Sequence, residues 1–189
     1  NPDEVPADWS MPKSAVSTWE TIPVPGSWQT YGYDRLKYIN SPVPFLYNPD
    51  KQGLRDEFSG NQKKQKIAIG YVPEDVVSVG CYRRSVDITA DQLKKRVIFR
   101  VGAVEAGISI FVNGKEAGYS QDSYTPAEFN ITPFLRPGKN TLAMKVYRWT
   151  DGSYMEAQDM VRFVGIFRDV FLRFDSQQRI EDISFMGTP

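Results

Sequence analysis

Ile108-Ser109-Ile110-Phe111-Val112-Asn113-Gly114-Lys115 decides the fold of this chain. Ile108, Ile110 and Val112 recur at every second position, the period that puts side chains on one face of a strand. Asn113-Gly114 then predicts a tight hairpin, because both central residues of that turn need positive φ. The same grammar extends both ways. Upstream, Tyr82–Ile88 alternates, with Val86 and Ile88 on one side and Ser85 and Asp87 on the other. Thr89-Ala90-Asp91-Gln92 reads as a capping box opening one helical turn, and Arg96–Val101 is a mostly apolar strand. Downstream, Thr132-Pro133-Phe134-Leu135 reads as an N-cap with Pro at the first helical position. A turn at Arg136–Lys139 leads into a long strand, Asn140–Trp149, with Leu142, Met144 and Val146 on one face. Phe167–Phe174 is the last clear strand, followed by a linker at Asp175–Arg179 and the start of a further element at Ile180–Phe185.

Seven or more short strands, separated only by single helical turns, predict an all-β sandwich. A length of 189 residues favours a jelly roll over a smaller immunoglobulin sandwich. The remaining segments are irregular. Residues 1–19 are Pro-rich, with a short helical turn expected around Glu4–Trp9. Ile22–Trp28 carries Pro at alternate positions and can form only an edge or irregular strand. Residues 50–66 are polar, without hydrophobic period, and read as a surface loop or insertion within 50–70.

Composition excludes several functions. Lys plus Arg number 23 and Asp plus Glu 23, so the chain lacks the electropositive footprint of nucleic-acid binding. No apolar run approaches bilayer length and no targeting segment appears, so no membrane role is expected. There is no histidine, which removes Ser-His-Asp and Cys-His catalysis and His-ligated zinc. Cys81 is alone, without a disulfide or zinc partner, and reads as a small buried hydrophobe in a β-like run. Cysteine scarcity fits the cytoplasm and leaves the periplasm open. The chain opens at Asn1-Pro2 and stops at Gly187-Thr188-Pro189 just after an apolar run, so it is expected to be part of a longer protein.

The chemistry concentrates between Arg148 and Asp169. Asp151, Glu156 and Asp159 lie close together, beside Gln158, Ser153, Trp149 and Tyr154. Carboxylates and amides next to rings suit polyhydroxylated ligands, since oxygens accept from sugar hydroxyls while a ring covers an apolar sugar face. Grouped carboxylates also suit hard cations. The plain alternative is a solvated acidic loop between two strands.

Several separated motifs in fixed order resemble the amino-terminal sugar-binding domain of family-2 glycoside hydrolases, above all the long bacterial β-galactosidases. They are Pro25-Gly26-Ser27-Trp28-Gln29-Thr30-Tyr31-Gly32-Tyr33-Asp34, Tyr38-Ile39-Asn40, Gly80-Cys81-Tyr82-Arg83, and Val112-Asn113-Gly114 through Gly118-Tyr119-Ser120-Gln121-Asp122-Ser123. Pro126-Ala127-Glu128-Phe129, Arg148-Trp149-Thr150-Asp151-Gly152-Ser153-Tyr154 and Gln158-Asp159-Met160 through Gly165-Ile166-Phe167-Arg168-Asp169-Val170 complete the set. The resemblance spans roughly residues 2–175 and implies a jelly-roll domain at 1–175, with 176–189 a linker and the start of the next β-domain. It implies further that the first strand of the jelly roll precedes Asn1, so that a sheet edge stands unpaired. The two catalytic glutamates of such enzymes belong to a TIM barrel elsewhere in the polypeptide. No catalytic residue is therefore expected in this chain.

Carried over by position, the resemblance implies that Asn40 reaches a galactose in the active site. It implies that Asp159 contacts the same sugar and coordinates a sodium ion, and that Gln121 and Asp151 belong to a magnesium site. A homo-oligomeric parent is also implied. Structural roles compete with these. Asn40 would cap a turn before Ser41-Pro42. Asp159 would pair with Arg162 or Arg168. Trp28 and Trp149 fit core or interface rings better than sugar platforms, and Arg148, Arg168 and Asp169 suggest a structural network. A free-standing carbohydrate-binding module and a purely structural oligomerisation domain are the alternatives to a β-galactosidase piece.

Overall fold

The computed structural model describes residues 4–39, 46–48, 53–55, 70, 72, 77–156 and 158–187. Its strands are β1 (Gly26–Ser27), β2 (Lys37–Ile39), β3 (Leu46–Asn48), β4 (Gly53–Arg55), β5 (Val79–Ile88), β6 (Arg96–Val101) and β7 (Val104–Glu105). They continue as β8 (Gly107–Val112), β9 (Lys115–Gln121), β10 (Ala127–Asn130), β11 (Gly138–Tyr147), β12 (Met160–Arg162), β13 (Gly165–Ile166) and β14 (Val170–Asp175). Between them lie only single 3-10 turns, so the chain is an all-β jelly-roll sandwich as its patterning predicts.

Two sheets enclose the core. One has the order β5-β11-β8-β9, the other β10-β6-β14. The inward positions of β8 are Ile108, Ile110 and Val112, each with no exposed surface. They meet Leu142 and Val146 of β11 within their own sheet, and Val97, Phe99, Val101, Ala127 and Phe129 from the other. Gly118 is required here: a Cβ on it would sit 2.6 Å from Cδ1 of Phe129. β5 is ten residues long, paired throughout with β11, and stands at the sheet edge among the described residues.

The local signals match closely. Asn113 and Gly114 adopt φ of 54° and 85°, as the hairpin demands. Gln92 N donates to Thr89 Oγ1 (3.1 Å) while Thr89 N donates to Gln92 Oε1 (2.8 Å), the reciprocal capping box. A Pro6–Trp9 turn falls where the short helical turn is expected. It seats the Trp9 ring edge-on to Phe111 at 5.3 Å, and Arg83 clamps the strap by donating to the carbonyls of Pro12 (2.9 Å) and Ser14 (3.0 Å).

Five expectations need correction. Thr132 does not cap its own turn; its hydroxyl accepts from Val97 N (2.8 Å), and Asn130 Oδ1 takes the Thr132 N–H instead. The 50–70 stretch is not all loop, because β4 within it forms an antiparallel ladder with β3. The last strand starts at Val170 and not at Phe167, whose N–H is already spent on Ala103 O (2.9 Å). Cys81 is only partly buried; even so, burial pushes its thiol up to about 11. Ile180–Phe185 forms no strand among the described residues, and Ile180 and Phe185 stand exposed.

Candidate functional site

A two-stranded ribbon joins the acidic segment to the strand that leads into the Tyr38-Ile39-Asn40 motif. β2 pairs antiparallel with β12 in the register Ile39↔Met160, Tyr38↔Val161, Lys37↔Arg162. Alternation gives the ribbon two unlike faces. Ile39 and Arg162 are buried, Ile39 against Trp149 and Val77 in a second, smaller core. Tyr38 and Val161 face outward, 46% and 42% exposed. Asp159 lies two residues before Val161 and so falls on the outward face, diagonal to Tyr38. The Tyr38 hydroxyl donates to Asp159 Oδ1, and this bond raises the phenol above its ordinary range. Asn40 lies outside the described residues. Ile39, before it in the chain, pairs with Met160, the residue after Asp159.

A buried network fixes the ribbon from beneath. Glu105 of β7 is 1% exposed and accepts from Arg162 Nη1 (3.3 Å) and from the Tyr124 hydroxyl. Burial drives the Glu105 carboxyl upward, and its bonds to Tyr124 and Arg162 offset only part of that. Arg162 Nη2 donates to the Glu156 carbonyl, while the Glu156 carboxylate accepts from Ser123 N (2.7 Å) and Ser123 Oγ (2.6 Å). Arg162 is thus unavailable to Asp159. Arg168 is engaged elsewhere too, donating to Tyr124 O (3.0 Å). Neither arginine is the partner of Asp159 that sequence reading weighed.

The expected trio of Arg148, Arg168 and Asp169 does not assemble. Arg148 is wholly buried and its Nη1 donates to Asp34 Oδ2 and to Arg35 O (2.9 Å). Burial works to raise the Asp34 carboxyl, but the Arg35 N–H and the Arg148 guanidinium outweigh it and hold the group below its usual value. Trp28 and Trp149 are 5% and 3% exposed, core rings and not sugar platforms.

Asp151 opens a 3-10 turn, Asp151–Tyr154, that is closed by reciprocal bonding between Thr150 and Ser153. Asp151 is exposed and its Oδ1 accepts from Gly152 N (2.9 Å). Gln121, at the end of β9, accepts from the Tyr119 hydroxyl (2.9 Å). The two predicted magnesium residues share one corner: a Cβ on Gly152 would stand 3.6 Å from the Gln121 amide carbon. Burial first, then the charge of Asp151, pushes the Tyr119 phenol up to about 12. Among the described residues no three His, Cys, Asp or Glu side chains converge as a metal cage.

Sequence reading missed the Tyr38–Asp159 bond, the Glu105–Arg162 pair and the Asp34–Arg148 pair. The first could have been signalled only by the motif Tyr38-Ile39-Asn40. The other two join residues 57 and 114 positions apart, which no local pattern reports.

The described family "Glycosyl hydrolases family 2, sugar binding domain" matches residues 58–175. A beta-galactosidase of Vibrio vulnificus (strain CMCP6) is 39% identical over 184 residues, covering 96% of this chain and 16% of that protein. One of Priestia megaterium (strain DSM 319 / IMG 1521) is 35% identical over 184 residues, covering 97% of this chain and 16% of the relative. The solved beta-glucuronidase of Bacteroides uniformis superposes with a TM-score of 0.60 at 26% identity, over 87% of this chain and 15% of its own. The chain therefore spans 16% of the length of the curated relatives it matches. With a family match over most of its length and a sandwich to go with it, this chain belongs to the sugar-binding domain family of the family-2 glycosyl hydrolases.

Proposed function

We propose that this chain is the non-catalytic sugar-binding domain of a β-galactosidase, and that its parent hydrolyses terminal β-galactosides with retention. The relatives at 35–39% identity over nearly the whole chain carry that name, whereas the beta-glucuronidase stands at 26%. The observation that carries the reading is Asp159, an exposed carboxylate at the head of a braced ribbon, without an arginine on it among the described residues. Such a group accepts from sugar hydroxyls and takes a cation at the same time. Asn40, next in the chain after Ile39 of the paired strand, joins it in contacting galactose. The two catalytic carboxylates, a nucleophile and an acid/base, belong to a TIM barrel of the same polypeptide.

A sodium ion suits Asp159 because a carboxylate is an oxygen ligand of the kind hard cations take. It would supply a fixed positive field for a sugar hydroxyl. Gln121 and Asp151 offer two oxygens on one corner, the beginning of a magnesium site completed by groups outside this chain. The parent is a homo-oligomer, in the cytoplasm or the periplasm.

Asp159→Asn in the full-length parent tests the central claim. Turnover of a galactoside falls and its sodium dependence disappears, with the melting temperature little changed. Wild-type kinetics in this variant would reject the role. The isolated chain should release no product from a chromogenic galactoside and bind galactose more weakly than millimolar. Activity above a heat-treated blank, or tighter binding in calorimetry, would contradict the reading.

A further inference from the structure

We propose that Tyr38 is a positioning residue for Asp159: its hydroxyl holds one oxygen of the carboxylate and so directs the other toward the ligand. The proposal deepens the functional reading above and rests on Asp159 being a ligand-contacting group. Three observations carry it.

The first is register. Pairing of Tyr38 with Val161 sets Asp159 diagonally across from Tyr38 on the outward face, within reach of a long ring side chain. The bond ties residues 121 positions apart and attaches specifically to Oδ1. The second is charge. The nearest arginine in sequence, Arg162, turns to the opposite face and is committed to Glu105 and to the Glu156 carbonyl. A phenol orients the carboxylate without neutralising it, so the negative charge remains for a hydroxyl or cation.

The third is exposure. Tyr38 is 46% exposed and Asp159 is exposed as well, so water replaces either partner at little cost in stability. The base of the tyrosine is nonetheless fixed, because its neighbour Ile39 is 2% exposed within the smaller core. A rigid donor on a surface where it adds little stability is spent on orientation.

The test is a double-mutant cycle in the full-length parent enzyme with Tyr38→Phe, Asp159→Asn and the pair, reading kcat, KM and melting temperature on a galactoside. Tyr38→Phe should lower kcat/KM by about tenfold, the scale of one hydrogen bond to a charged group. The melting temperature should move by no more than about 1 °C. In the Asp159→Asn background the same change should cost less than about twofold, since two residues acting as a unit are not additive. Equal losses in both backgrounds would show Tyr38 acting independently of the carboxylate and overturn the proposal. So would wild-type kinetics for Tyr38→Phe beside an impaired Asp159→Asn, which would leave the role of Asp159 standing. Wild-type kinetics for Asp159→Asn would overturn both.

Discussion

Replacing Arg162 by Met should expose how strongly the site's foundation depends on one buried charge. The Arg162 and Glu105 side chains are 4% and 2% exposed, with Nη1 and Oε1 3.3 Å apart. Removing one member of such a pair leaves the other charge buried without compensation, a cost of about 3–5 kcal/mol. At roughly 2–4 °C per kcal/mol for a chain of this size, the melting temperature should fall by about 6–20 °C. The pH dependence gives a sharper signature. Burial already raises the Glu105 carboxyl, and Arg162 is one of the groups that restrain it. A carboxyl raised in the folded state contributes stability that is present below its unfolded pKa and is lost as pH rises through the folded value. Without Arg162 that loss extends to higher pH, so the gap to wild type should widen with pH, by at most about 1.4 kcal/mol per pH unit for one proton. Urea titrations followed by tryptophan fluorescence, at about pH 5 and about pH 7.5, measure it. The double variant Arg162→Met/Glu105→Leu should recover much of the loss, because apolar replacement of a buried pair is near neutral. Recovery stays incomplete, since the Tyr124 hydroxyl loses its acceptor. A loss equal at both pH values, or a double variant no better than the single, would refute the reasoning.

Asn140→Ala should cost about 2–4 kcal/mol in thermal unfolding, because this wholly buried amide bonds Arg136 O (2.7 Å), Gly138 O (2.8 Å), Arg136 N (3.0 Å) and Asn113 Nδ2 (2.8 Å), and its loss strands them. A loss below about 1 kcal/mol would mean that water enters and satisfies them. Thr89→Ala removes half of an exposed capping box and should cost about 1 kcal/mol in chemical denaturation, leaving galactoside kinetics of the parent unchanged.

What the sequence disclosed and what it withheld divide along a physical line. The hairpin at Asn113-Gly114, the Thr89 cap and the strand faces of β8 and β11 are local, written in residues within a few positions of each other. They were legible because turn geometry and the period of two act at that range. Thr132 misled the reading because a threonine before proline has the form of an N-cap; tertiary contact with Val97, 35 positions away, claimed its hydroxyl instead. The site is harder still. Asp159 was singled out by resemblance, yet its hydroxyl partner sits 121 positions upstream and meets it only through strand register. Arg162 was one of two counter-charges weighed for Asp159, being three residues away, but alternation on β12 sends it to the buried face. Spacing of three suits a helix, and on a strand it separates the two side chains across the sheet.

That separation divides two demands between the opposite faces of one ribbon. A carboxylate offered to a ligand must be held still yet remain charged and wet, and those demands conflict on a single side chain. Here they are met by different residues on opposite faces of one ribbon. Beneath, Arg162 couples β12 to Glu105 of β7 and to the Glu156 backbone, and Glu156 in turn grips Ser123. Before it in the chain, the turn at Asp151–Tyr154 is locked by Thr150 and Ser153. Above, Tyr38 restrains Asp159 with a neutral donor. The buried carboxylate faces a guanidinium, and the exposed one faces a neutral hydroxyl. Rigid support under a free polar group is the arrangement that keeps binding geometry within a fraction of an ångström.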